Sequence, residues 1–216
     1  MESDGKGGSE LVGTQLKALP EILGLVIGDA LQAMRSSLDN LAFSLACKNK
    51  PNLTADEEED VSFPIYDDPP APTSRSIRHM APTAQFGLIA LCGYPATHPK
   101  EDDALWLLNK TNNRDKHRAI TVAVADLTNW GMNLSGNING PSQIGIGGPK
   151  RTAKVGDRNV LSTFGPGSQV QINVSATLQI VFGEGLEVAD REVTSALRWF
   201  HDHVRDTIFK GMEQHL

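Results

Sequence analysis

The stretch VQINVSATLQIVF, residues 170–182, decides the fold class. Val170, Ile172, Val174, Ala176, Leu178, Ile180 and Phe182 fall on one side of an extended chain. Gln171, Asn173, Ser175, Thr177 and Gln179 fall on the other. Successive side chains of a strand point to opposite faces, so this alternation predicts one buried and one wet face, as in an antiparallel sheet. Gly183-Glu184-Gly185 closes the strand. Upstream, Ile120, Val122 and Val124 alternate with Thr121 and Ala123 and offer a second strand. The glycine-rich residues 129–150 read as turns and loops around irregular strands.

On both sides of this region the period changes to that of a helix. Ile27, Leu31, Met34, Leu38, Leu41 and Leu45 are spaced 4, 3, 4, 3 and 4, which predicts a helix over 20–48 with one buried stripe. Pro20 suits its first turn. Further helices are predicted at 77–92, 104–117 and 190–213, with Asp102 or Asp103 capping the third. The acidic run Asp56–Asp60 reads as a solvated loop. Val61–Tyr66 reads as a short extended piece, kept out of a sheet interior by Pro64. The class is therefore α+β: a helical core of about four helices, with an antiparallel β-sheet inserted before the C-terminal helix. Residues 1–9 are expected to be disordered. Residues 10–216 are expected to form a single domain, with a helical part at 10–118 and 190–216 and a β part at 119–183.

The 216 residues are 39% hydrophobic and carry a net charge of −6. Such a chain can bury a core, and disorder throughout is excluded. The acidic balance argues against duplex DNA as a partner. No run of 18 apolar residues exists, so no membrane span is expected, nor a signal peptide. Cys47 and Cys92 lack metal spacing and read as small core residues of a reducing compartment, the cytoplasm; a single bridge between them is the alternative. No metal or cofactor is expected. His201 and His203 flank Asp202, but residues two apart on a helix point to different sides and read as exposed histidines. Gly145–Arg151 is glycine-rich with adjacent bases but lacks the spacing of a phosphate-binding loop.

One constellation could carry chemistry. In LWLLNKTNNRDKHR, residues 105–118, the apolar stripe Leu105–Leu108 continues into Asn112 and Asp115, with Lys116, His117 and Arg118 following. A core-facing stripe that turns polar needs partners, because an unpaired buried polar group costs a few kcal/mol. Arg35 and Asp39, at the edge of the first helix's stripe, are the expected partners. Arg35 would meet Asp115, and Asp39 would meet Lys116 or His117, since a guanidinium fork suits a carboxylate. Two functions compete. In one, His117 is a general acid or base and Arg35 or Arg118 stabilises a developing phosphate charge. In the other, a buried ionic network only fixes how the helices cross. Phe43, on the outward face of the first helix, would then serve a homodimer.

The segments Ile27–Leu31, Met34–Ala42, Phe63–Ile65, Leu105–Asn109 and Asn112–Arg118 resemble an uncharacterised family of bacterial and phage proteins of similar length. The similarity extends to the late strand and the last helix. That family's first helix often reads arginine, four residues, histidine. The spacing is similar to the catalytic motif of the HEPN superfamily, helical domains that cut RNA without metal. The resemblance implies RNA as a partner and a defence- or toxin-related ribonuclease working without a cofactor. Here Asn40 stands where the histidine would be. An amide cannot shuttle a proton near neutral pH, so the resemblance implies a degenerate site unless His117 takes the role.

Overall fold

A computed structural model of the chain describes residues 2–3, 8–14, 19–92, 99–115, 120, 122–137 and 158–216. The fold is α+β. The chain divides into two compact units. One comprises Met1–Leu23 with Thr121–Glu184, and the other Gly24–Ile120 with Gly185–Leu216.

The first unit holds the strands β1 (Glu2–Ser3), β2 (Ser9–Thr14), β3 (Val122–Asn137), β4 (Arg158–Phe164) and β5 (Gln169–Phe182). β3 and β5 pair antiparallel, from Val122 opposite Phe182 to Asn137 opposite Gln169. The register shifts between Ala125 and Leu127 and again between Leu127 and Asn129. Of the expected turns and irregular strands from 129 on, the part to Asn137 is continuous strand. Its glycines and asparagines are weak strand formers, but β5 offers a partner to nearly every residue, and that pairing outweighs local preference. β1, β2 and β4 form a second antiparallel sheet. Glu2 and Ser3, in the stretch expected to be disordered, pair with Glu10 and Ser9.

The second unit is helical and takes in the first helix from Gly24 onward. α1 (Ile22–Asn49) buries Ile27, Leu31, Leu38, Leu41 and Leu45, the predicted stripe without Met34, which is only half-buried. The acidic run is not a loop but a short helix, α2 (Ala55–Asp60). Thr54 and Glu57 form a reciprocal capping box at its start, and its acids sit where the helix dipole favours negative charge. None of its residues is buried, so the expected solvation stands. α3 (Pro82–Leu91) begins five residues later than expected. Pro82 disfavours helical geometry at Ala81, which is extended, so Ile77 and Met80 reach the core from turns instead.

α4 (Ala104–Asp115) starts under the predicted cap, the Asp103 carboxylate accepting the Trp106 amide at 2.9 Å. α5 (Val193–Asp202) runs on as a π-helical segment, His203–Phe209, and ends in short turns at 210–215. The amide of Lys210 donates to the carbonyl of Arg205, five residues back. The spacing of this segment predicts a stripe of Val193, Leu197, Phe200, Val204 and Ile208, and all are buried except Leu197, which is half-buried. Among the described residues no helix is long and apolar enough to cross a membrane.

Candidate functional site

Arg35 lies on α1 one turn before Asp39, and its guanidinium bonds in three directions. Nη1 donates to Asp39 Oδ1 at 2.5 Å, Nε to Asn109 Oδ1 at 3.3 Å, and Nη2 to the Phe63 carbonyl at 3.1 Å. The Phe63 amide returns to Asp39 Oδ1 at 2.9 Å. One cation thus ties α1, α4 and the extended segment 61–66 together. The Arg35 side chain is 13% exposed and that of Asp39 40%. The ring of Phe63 is buried beside them.

The expected meeting of α1 with α4 occurs, but through Asn109, six residues before the expected Asp115. The side chain of Asp115 and residues Lys116, His117 and Arg118 lie outside the described residues, as does Gly145–Arg151. Asn40, in the position of the resemblance's histidine, is exposed. Asn112 is 1% exposed, as its place on the stripe predicts, yet neither its Oδ1 nor its Nδ2 has a partner. Asn109 and the Phe63 backbone were not expected in the cluster. A signal existed for the second: Pro64 keeps Phe63 out of a ladder, so its amide and carbonyl need other partners.

A second polar group sits where α5 becomes π-helical. His201 is exposed as expected, but His203 is half-buried, which corrects the expectation of two exposed histidines. Burial pushes the His203 imidazole below its usual pKa, and the charge of Asp103 partly opposes that. The sign follows. The unfolded chain takes up a proton that the folded chain resists, so this group's stability is present above the ordinary imidazole value of 6.5 and is lost as pH falls below it toward the lower folded value. His203→Gln should therefore melt with a flatter pH dependence between pH 7 and 5 than the parent. Equal slopes in thermal unfolding followed across that range would show that the imidazole is not buried against its charge.

A cavity of about 330 Å³ opens at the start of α5, lined by Arg191, Glu192, Ser195, Ala196 and Trp199. Its polar groups are already used. Burial raises the Glu192 pKa, but bonds from Ser195 and Thr194 outweigh it and hold the carboxyl down at about 2. The Arg191 guanidinium lies 5.2 Å from the Trp199 ring and donates to the Glu101 carbonyl. Trp106 is likewise anchored, its indole N–H on Asp67 at 2.8 Å and the ammonium groups of Lys100 and Lys110 over its ring. Cys47 is a free, half-buried thiol, and Cys92 is buried. Among the described residues no group of three or more His, Cys, Asp or Glu could hold a metal ion.

No protein-family model matches the chain, and no curated protein or solved structure is significantly similar to it.

Proposed function

We propose that this protein is a non-enzymatic interaction scaffold whose helical unit is locked by the Arg35–Asp39–Asn109 cluster. One observation carries this reading: every arm of the Arg35 guanidinium is consumed inside the chain. An arginine that stabilises a developing phosphate charge must aim its donors at the reacting group. This one is nearly sealed and bonded in three directions. The free thiol of Cys47 fits a reducing, cytoplasmic address.

A HEPN-like, RNA-directed activity is the second reading. Its support is the resemblance together with His203, a half-buried imidazole biased toward its neutral form beside the buried Asp103 carboxylate, as a general base would be. Incubation of the pure protein with mixed RNA, with and without chelator, separates the two. The scaffold reading expects no protein-dependent cleavage. Cleavage that His117→Ala or His203→Gln abolishes while leaving thermal stability unchanged would overturn it and favour the nuclease.

A further inference from the structure

α1 has two faces, and only one of them is occupied. Opposite its buried stripe, positions 22, 26, 29, 33, 36, 40, 43 and 47 follow one another at alternating intervals of 4 and 3, the spacing of a coiled-coil seam. None of these residues is buried. Ile22 and Val26 are 58% and 57% exposed at one end, and Phe43 is 39% exposed near the other. Among the described residues the side chains of Asp29 and Asn40 have no hydrogen-bond or ion-pair partner.

We propose that a second copy of this chain docks antiparallel along this face, with the two-fold axis passing between Met34 and Arg35. The seam is complementary to itself when turned end for end about that point. Val26 then meets Phe43 and Ile22 meets Cys47, apolar against apolar at both ends. Asp29 meets Asn40, a carboxylate opposite an amide that can donate to it. Ala33 meets Ser36 at the crossing, where small side chains let two backbones approach. A parallel pairing would set Asp29 against Asp29 and is disfavoured by like charge. The same patch on both subunits, closed by a two-fold, is an isologous interface. The proposal names the partner in the scaffold reading and rests on it, but its test is separate: RNA cleavage neither makes nor breaks the contact.

Ile22→Cys places a thiol that should face Cys47 of the second copy. Within one chain those positions are separated by roughly 37 Å of helix, at about 1.5 Å per residue, far beyond disulfide reach. Mild oxidation should give a covalent dimer, and peptide mapping should join the introduced thiol to Cys47. Gln32→Cys, out of register with Cys47, should give no such link. By light scattering at high micromolar concentration the parent should weigh twice 23.3 kDa, and Ala33→Arg should fall to 23.3 kDa. A parent of 23.3 kDa, or a link that maps elsewhere than Cys47, overturns the proposal.

Discussion

Arg35→Met will lower the stability of the protein by about 2–4 kcal/mol, the cost of stranding a partly buried carboxylate and two acceptors. The substitution keeps the length and apolar stem of the side chain and deletes its fork. Asp39 Oδ1 is left with the Phe63 amide alone, and Asn109 Oδ1 loses its donor. The Phe63 carbonyl keeps only the amide of Ile65, at 3.0 Å. The full penalty for breaking a buried pair does not apply, because Asp39 is 40% exposed and water can reach it. In a chain of this size the loss is on the order of 10 °C in Tm. Arg35→Lys retains a charge near Asp39 but cannot reach three acceptors at once, and should fall between. With Asp39→Asn the cycle should show coupling of about 1 kcal/mol or more. A change below about 0.5 kcal/mol in Arg35→Met, measured by denaturant unfolding, would mean that the cluster locks nothing, and the scaffold reading would lose its support.

Gly24→Ala should destabilise by about 2 kcal/mol, although alanine is the better helix former by about 1 kcal/mol. A Cβ built at Gly24 would stand 2.5 Å from the carbonyl oxygen of Ile120. That neighbour is backbone and can yield only if α1 and the chain at 120 move apart. Gly211→Ala is the control. There the Cβ would also come within 2.5 Å of an atom, but the atom is Cδ1 of Leu91, a methyl that can rotate away. Gly211→Ala should therefore be close to neutral. Urea midpoints of the two variants test the difference, and a stabilised Gly24→Ala would show that α1 and Ile120 do not approach so closely.

Much of the secondary structure was legible because its signals are local. The stripe from Ile27 to Leu45 marks α1, and Asp103 before an apolar run marks the start of α4. The alternation of 170–182 marks β5. The run at 56–60, read as a loop, carried a local helix signal as well: Thr54 and Glu57, three apart, spell a capping box that the density of charge obscured. Other elements were not legible. β3 reaches Asn137 through glycines because β5 lies alongside it. The π-helical turns at 203–209 leave no mark in a pattern read at 3.6 residues per turn. Burial of Val204 and Ile208 with Phe200 was expected from their spacing, but the wider turn that carries them belongs to the packing around them.

What the chain determined alone was the type of each main element, the face that α1 buries and the polar turn of the stripe at Asn112. These follow from periodicity and capping, which act within one or two turns of backbone. The Arg35–Asp39 pair is local, one turn apart on α1, but tertiary structure alone decided which distant groups Arg35 would hold. Asn109 is 74 residues from Arg35 and Phe63 is 28. Which of them comes within 3.3 Å depends on how one helix is set along another. The six residues from Asp115 back to Asn109 span about 9 Å of helix at about 1.5 Å per residue, and a displacement of that size along α4 is invisible to any local pattern.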